Sequence, residues 1–269
     1  MNGKPHGRGG LLPYLLWAAL FVAAPIALIV YFSLLDADGR FTLENYRNFF
    51  RPSYLWMTLN SFWYAFLITV CTLVVAYPAA WIITKTKHKH LWLMLIIIPS
   101  WINLLLKTYA FIGILGLHGP VNAFLSLFGA EPTQILFTDF SFILVAVYIF
   151  IPFMILPIYN SLDQLDRNLV YAARDLGASG WETFRRVVLP LTLDGVKSGI
   201  QVTFIPALSL FMITRLIAGN KVVTLGTAIE QQFLVAQNWG MGSTVALILI
   251  LLMVLSMFLT GAKRAGGRT

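Results

Sequence analysis

The sequence predicts an all-α, polytopic membrane protein with six transmembrane helices. Of its 269 residues, 58% are hydrophobic and only 11% are charged, which leaves too little polar surface to cover a water-soluble globule of this size. The apolar residues also run together in stretches of bilayer length, roughly 20 residues each. No tandem repeat or long linker divides them, so a single membrane domain over residues 11–269 is expected.

Six segments are apolar enough and long enough to cross the bilayer as helices. The expected spans are residues 11–35, 57–84, 91–115, 140–160, 197–218 and 243–262. The first follows a polar segment, 1–10, and is too long for the apolar part of a secretory signal, which measures about 7 to 15 residues. It is therefore expected to stay in the protein as a membrane helix.

The distribution of lysine and arginine predicts that both termini are cytoplasmic. Loops on the cytoplasmic side carry an excess of these residues, and with segment 1–10 inside, most of the 19 fall on that side. The outer loops then carry only Arg40, Arg47, Arg51 and Lys221. Because the basic residues lie between apolar spans and not on one amphipathic stripe, nucleic acid is not an expected partner despite the net charge of +8.

Two cations, Lys107 and Arg215, remain inside the predicted spans. Counted from the cytoplasmic ends, each is expected near the outer interface, where its long side chain would reach the lipid headgroups. The alternative is that they line a transport pathway, since ionisable residues within a membrane are commonly functional.

The polar segment 161–196 predicts two short amphipathic helices between the fourth and fifth spans. Apolar residues spaced three and four apart form one helical face: Leu162, Leu165, Leu169, Ala172, Ala173 and Leu176. Gly177 follows as a left-handed stop, and the capping box from Ser179 to Glu182 begins the second helix, which Pro190 ends or kinks. Such a hairpin offers a knob to a groove on another protein, and an interfacial helix lying on lipid is the alternative.

This segment resembles the EAA loop of ABC importer permeases. The matching residues are Tyr171, Ala172, Ala173, Gly177, Val187, Leu189 and Pro190. The family signature reads Glu-Ala-Ala, then Gly, then Ile-x-Leu-Pro at this spacing, and Tyr171 stands where the glutamate is usual. The resemblance implies a type I importer permease core in which this loop, 161–196, sits in a cleft of an ATPase subunit and passes on its closing motion. It assigns that coupling role to Tyr171, Ala172, Ala173, Gly177, Leu189 and Pro190.

Further stretches are similar to spermidine/putrescine permeases, namely residues 98–103 with Tyr109, 148–157, 172–179 and 232–240. This similarity implies a polyamine solute, while related permeases for sulfate, molybdate, iron or phosphonates remain alternatives because they share the loop. It also places the solute pathway beside the fifth span. Four residues are therefore candidates for the pathway or its gate: Pro206, Trp101, Asn103 and Tyr109.

The chain is not expected to be an enzyme. It has no Walker A loop, His-Glu-x-x-His motif or Gly-x-Ser-x-Gly motif, so ATP and Mg²⁺ would be bound by a separate ATPase and no cofactor or metal is expected here. The resemblance implies two ATPase subunits, a second similar permease forming a heterodimer, and an extracytoplasmic solute-binding protein, all at a bacterial plasma membrane. The rival functions are an ion-coupled secondary transporter, disfavoured because no acidic residue lies inside a span, and a membrane scaffold.

Overall fold

The computed structural model describes residues 12–36, 38–219 and 221–260. Within these ranges the chain is helical and contains no strand, and one isolated antiparallel bridge joins Leu35 to Phe41. The all-α prediction is confirmed. The predicted cytoplasmic segment 1–10 and the basic C-terminal residues 263–268 lie outside the described residues.

Helices of very different lengths follow one another along the described part of the chain. In order they are α1 (Pro13–Ser33), α2 (Glu44–Phe49), α3 (Pro52–Lys85), α4 (Lys89–Ile97), α5 (Leu104–Leu115), α6 (Pro120–Ser126), α7 (Asp139–Asp163), α8 (Arg167–Asp175), α9 (Gly180–Thr183), α10 (Leu189–Leu191), α11 (Leu193–Leu208), α12 (Met212–Ile217), α13 (Leu225–Glu230) and α14 (Trp239–Thr260). The wider π turn Phe184–Val188 joins α9 to α10, and the 3₁₀ turn Ile98–Trp101 follows α4.

The described residues contain five helical segments that are long and apolar enough to cross a membrane. They are Pro13–Ser33, Pro52–Lys85, Leu104–Ser126, Asp139–Asp163 and Trp239–Thr260. Four of them coincide with the first, second, fourth and sixth predicted spans. The third and fifth predicted spans are instead divided into shorter helices.

Proline and local capping explain the first division, and the second also follows a proline. In predicted span 91–115, α4 tightens into the 3₁₀ turn at Pro99, Ile102 is extended, and Asn103 begins α5 by accepting a hydrogen bond from the Leu105 backbone N–H at 2.8 Å. In predicted span 197–218, α11 ends at Leu208, two residues after Pro206. With 16 residues, α11 is about 24 Å long, which is less than the roughly 30 Å hydrocarbon core of a bilayer.

Two compact units make up the fold. Among the described residues, one comprises residues 12–56 with Ala228–Leu251, and the other comprises Met57–Thr227 with residues 252–260. The second unit contains the whole 161–196 loop and the four pathway candidates, so all the residues singled out from the sequence as a functional site belong to it.

The first unit is held together by buried polar contacts to the backbone at the end of α1. The Asn45 side-chain amide donates to the Leu35 carbonyl oxygen at 2.7 Å, and the Thr244 hydroxyl donates to the Ser33 carbonyl oxygen at 3.2 Å. Asn45 and Thr244 are both buried. Gly240 approaches the Leu35 carbonyl so closely that a Cβ atom there would overlap it. Hydrogen bonds of this kind satisfy polar groups that would otherwise be costly to bury.

The core of the second unit lies where α3, α7 and α11 meet near the 161–196 loop. Its buried members are Ala76, Ala80, Ile83, Met154, Ile155, Ile158, Tyr159, Leu162, Val188 and Val196. Small residues allow the close approach of α11 to α7. A Cβ atom added to Gly195 would lie 2.5 Å from the Ser161 Cβ atom and 2.7 Å from the Pro157 carbonyl oxygen.

Gly195→Ala should therefore destabilise the protein by about 1–3 kcal/mol, the usual cost of overpacking a well-packed site. The measurement is the thermal unfolding midpoint of the purified protein in detergent. Gly113→Ala is the matched control, because Gly113 also lies inside a helix but nothing lies within 4 Å of an added Cβ atom there. Equal midpoints for the two variants would contradict the close packing of α11 on α7.

Candidate functional site

The first helix of the 161–196 loop begins later than the sequence pattern suggested. Asp166 caps α8 by accepting a hydrogen bond from the Asn168 backbone N–H at 2.9 Å, and α7 continues as far as Asp163. Leu162 is therefore buried at the end of α7, whereas Leu176 at the end of α8 is 89% exposed. The prediction of one continuous apolar face from Leu162 to Leu176 is wrong, because the chain breaks between the two helices.

Gly177 ends α8 in the left-handed conformation that the sequence predicted, with φ of +84°. The Gly177 N–H donates to the Arg174 carbonyl oxygen at 2.8 Å, and the Ala178 N–H donates to the Ala173 carbonyl oxygen at 3.0 Å. This pair of hydrogen bonds is the Schellman arrangement, which satisfies carbonyls at a helix end and reverses the chain. The turn reverses the chain and brings α9 into contact with α8, so the two short helices form a hairpin, residues 167–183.

The predicted capping box of the second helix is confirmed. The Ser179 Oγ atom accepts from the Glu182 N–H at 3.2 Å, and the Glu182 Oε2 atom accepts from the Ser179 N–H at 3.0 Å. Hydrogen bonds to the Glu182 carboxylate, first from the Ser179 backbone N–H and then from the Ser179 side chain, hold the pKa of that carboxyl below its usual value. After Thr183 the helix widens into a π turn, because Pro190 has no N–H to donate to the carbonyl four residues earlier.

Phe184 joins this π turn to the membrane helix α3. Its ring meets the Tyr77 ring edge-on at a centroid distance of 5.7 Å and the Trp81 ring at 5.9 Å. The Tyr77 hydroxyl also lies 2.9 Å from the Thr192 hydroxyl, which is fully buried at the break before α11. Phe184 and Thr192 thus attach the loop to α3 at two points. Tyr77, Trp81 and Thr192 were not identified from the sequence, where nothing marks them as partners of the loop.

The outward side of the hairpin is apolar and open. Trp181 is 68% exposed and stacks on Phe184, and a cavity of about 330 Å³ opens between the two helices. Its lining consists of Ala173, Leu176, Gly177, Ala178, Glu182, Thr183, Arg186 and Val187. The structure therefore brings together two of the predicted coupling residues, Ala173 and Gly177.

The other predicted coupling residues lie elsewhere on the loop. Ala172 is exposed on α8, and Tyr171 is exposed beside a second groove, on a different face. Leu189 is half-buried and Pro190 is exposed, both in α10 beyond the π turn. These residues share one loop without forming one contiguous cluster.

An ion pair ties the start of α4 to the end of α7 beside the hairpin. The Lys89 ammonium lies 2.7 Å from one Asp163 carboxylate oxygen and 3.0 Å from the other. This hydrogen bond raises the pKa of Lys89. Across the described residues, no group of three or more His, Cys, Asp or Glu side chains is placed to hold a metal ion.

Three of the pathway candidates lie at or just after the break between α4 and α5. Trp101 ends the 3₁₀ turn with 80% of its surface exposed, and Tyr109 is exposed on α5. Asn103 uses its side-chain oxygen to cap α5, which accounts for a structural role at this position.

Pro206, the fourth candidate, precedes the break between α11 and α12. The segment that begins with Thr224 closes over this break, since the Thr224 hydroxyl donates to the Leu210 carbonyl oxygen at 2.9 Å. A Cβ atom on Gly226 would lie 2.5 Å from the Ser209 carbonyl oxygen. The helices that follow the two breaks, α5 in the third predicted span and α12 in the fifth, pack against each other.

Lys107 is buried within the protein, so the prediction of a side chain that extends out to the lipid headgroups is wrong. Its side chain is only 9% exposed and lines a cavity of about 270 Å³ together with Tyr148 and Pro152, which lie about midway along α7. The prediction failed because the third predicted span is interrupted and α5 begins after Asn103. Lys107 therefore lies in the first turn of α5, beside the middle of α7.

Comparison with known proteins identifies a family and close relatives. Residues 45–262 match the family described as "Binding-protein-dependent transport system inner membrane component". The chain is 37% identical over 252 residues to the spermidine/putrescine transport system permease protein PotB of Haemophilus influenzae, covering 90% of this chain and 88% of that protein. It is 38% identical over 247 residues to PotB of Escherichia coli, covering 88% and 90%.

Solved structures share the fold at low sequence identity. A chain from the crystal structure of a bacterial ABC transporter involved in the import of alginate superposes with a TM-score of 0.74 and 14% identity, covering 94% of this chain and 93% of that one. A second structure, of an alginate ABC transporter in complex with a pentasaccharide-bound periplasmic protein, gives a TM-score of 0.75 at 15% identity and covers 94% and 91%.

Proposed function

The chain belongs to the binding-protein-dependent transport system inner membrane components, and on that premise we propose that it is the permease subunit of an ATP-driven importer of polyamines. The observation that supports the polyamine solute is the similarity to two spermidine/putrescine permeases at 37% and 38% identity over about nine tenths of the chain. Similarity over so much of the chain covers the membrane helices as well as the 161–196 loop.

The proposed topology has six crossings with both termini in the cytoplasm. Four crossings are α1, α3, α7 and α14, each a continuous helix. The third crossing is α4 followed by the 3₁₀ turn and α5, and the fifth is α11 followed by α12. Interrupted helices are tolerated within a membrane where the freed backbone groups are buried in protein or line a cavity. The Leu210 carbonyl at the second interruption has such a partner in Thr224.

In the proposed mechanism the hairpin receives force from an ATPase and passes it to three membrane helices. The exposed Trp181 and Leu176 and the cavity around Gly177 provide a surface that fits a groove on another protein. Phe184 connects the hairpin to α3, and the close packing of Gly195 connects α11 to α7. Closure of the ATPases would thus move α3, α7 and α11 together, and the opening of the solute cavity would alternate between the two faces of the membrane.

The proposed assembly contains this chain, a second similar permease in a heterodimer, two ATPase subunits and an extracytoplasmic solute-binding protein. The ATPases bind the ATP and Mg²⁺, and this chain carries out no catalysis. Within the assembly, residues 11–269 act as one transmembrane domain in a bacterial plasma membrane. The structural neighbour that contains a periplasmic binding protein supports this kind of partner.

The proposed polyamine pathway avoids the cavity beside Lys107. A buried ammonium repels a polycation at short range. Exposed aromatic rings attract one through cation–π interaction, and Trp101 and Tyr109 offer such rings at the interrupted third crossing.

Uptake by the complete transporter in proteoliposomes, supplied with its binding protein and ATP, tests the solute. Labelled spermidine should enter in a saturable manner, and unlabelled putrescine should compete with it. Sulfate, molybdate, iron and phosphonates should not compete at the same concentration. Uptake of one of these anions or of iron when it is supplied as the labelled solute, together with no spermidine uptake, would instead favour the corresponding related importer.

A further inference from the structure

A second groove, of about 260 Å³, lies behind the hairpin and differs from its outward cavity. One side is the face of α8 that carries Arg167, Tyr171 and Arg174, spaced four and three residues apart. The other side is formed by Trp81 and Lys85 in the last turn of α3 together with the end of α7. Both membrane helices that border the groove end at it.

Three cations face this groove without an acidic partner. The Lys85 ammonium lies over the Trp81 ring at 4.1 Å from its centroid, and neither Arg167 nor Arg174 forms an ion pair within the described residues. The acid in the lining, Asp163, already binds Lys89. Tyr171 lines the groove with a neutral side chain, and Asp175, the carboxylate of α8, is not among the lining residues.

We propose that this groove binds the phosphate headgroup of an anionic phospholipid. It lies between Lys85 and Asp163, the last residues of two candidate membrane spans, which places it at the depth of the headgroups. Basic pockets between transmembrane helices on the cytoplasmic side recognise such lipids, and this side follows from the proposed function. Arginine binds phosphate oxygens in a forked geometry, while the Trp81 ring provides apolar surface for the start of the lipid's acyl chains.

The bound lipid would restrict the movement of the hairpin relative to the membrane surface. Phosphate contacts from Arg167 and Arg174 would fix the rear face of α8, while its outward face stays open for the ATPase. The groove and the outward cavity have no lining residue in common, so both surfaces can be occupied at once.

Native mass spectrometry of the complete transporter in detergent tests the site. The probes are phosphatidylglycerol, phosphatidylcholine with the same acyl chains, and water-soluble glycerol 3-phosphate. Phosphatidylglycerol should bind more tightly than the other two. The double substitution Arg167→Gln with Arg174→Gln should weaken its binding about 10- to 30-fold, from about 1 kcal/mol for each cation near a headgroup.

Arg185→Gln is the matched control, because Arg185 is an exposed arginine of the same loop that does not line the groove. Its substitution should change phosphatidylglycerol binding by no more than about twofold, because only a cation that contacts the headgroup contributes about 1 kcal/mol. Lys85→Gln should weaken binding without altering α8, and its elution in size-exclusion chromatography checks that the protein still folds.

Equal binding of phosphatidylglycerol and phosphatidylcholine would overturn the proposal. Binding of glycerol 3-phosphate as tightly as phosphatidylglycerol would also overturn it, because the groove would then be assigned to a free phosphate ester. Loss of the ATPase from the double variant with unchanged lipid binding would also overturn it, because the arginines would then belong to the protein contact. Lipid binding is read independently of uptake. A failure of the proposed transport function would therefore leave this result interpretable.

Discussion

Replacing Gly177 by valine should reduce ATP-driven uptake at least about tenfold while the protein remains in the membrane. Gly177 adopts a φ of +84°, a conformation that costs a side chain about 1–3 kcal/mol, and a strain of 1.4 kcal/mol lowers the equilibrium constant for forming the native turn about tenfold. Nothing lies within 4 Å of a Cβ atom added there. The effect would therefore come from the backbone of the turn and not from a steric clash.

The measurement is uptake together with ATP hydrolysis by the reconstituted transporter. Gly177→Asn should retain more uptake than the valine variant, because asparagine tolerates the left-handed conformation better. Gly180→Ala is the matched control, since Gly180 lies three residues away, also has open space around it and has no positive φ. Wild-type uptake by the valine variant, or an equal loss in Gly180→Ala, would refute a role for this turn.

Phe184→Ala should uncouple ATP hydrolysis from uptake. The substitution removes the ring that contacts Tyr77 and Trp81, and each aromatic pair contributes about 0.5–1.5 kcal/mol beyond the apolar area it buries. Truncation of a buried phenylalanine costs about 3–5 kcal/mol in total, and the cost should be smaller here because Phe184 is only half-buried. The hairpin would still meet the ATPase through Trp181, but its movement would no longer be passed fully to α3.

The ratio of ATP hydrolysed to solute transported should therefore rise in Phe184→Ala. Phe184→Leu should restore part of the coupling because it keeps most of the apolar volume. Phe128→Ala is the control for the loss of an aromatic ring, since Phe128 is largely exposed and distant in sequence from the loop. An unchanged ratio in Phe184→Ala would show that force reaches the membrane helices by another route.

Features that depend on neighbouring residues could be predicted from the sequence. The stop at Gly177 and the capping box at Ser179 and Glu182 are confirmed, because each arises from backbone geometry and hydrogen bonds within a few residues. Four of the six predicted spans coincide with long apolar helices, because the length of a continuous apolar stretch is enough to define such a helix. The family resemblance of the 161–196 loop is likewise carried by a short pattern.

Features that depend on tertiary contacts could not be predicted. The attachment of Phe184 to Tyr77 and of Thr192 to α3 joins residues more than 100 positions apart, and no periodicity in the sequence marks such pairs. The burial of Lys107 was mispredicted because its depth was counted along an unbroken helix, whereas the chain restarts at Asn103. Pro99 and Pro206 were visible in the sequence, but the same residue can kink a helix or end it.

The decisive measurement compares spermidine uptake into proteoliposomes that contain either the complete transporter or this chain alone. The complete transporter should accumulate spermidine only with hydrolysable ATP, and this chain alone should accumulate none under any ion gradient. Accumulation by the purified chain without an ATPase would contradict the proposal that the 161–196 loop passes work from a partner to the membrane helices.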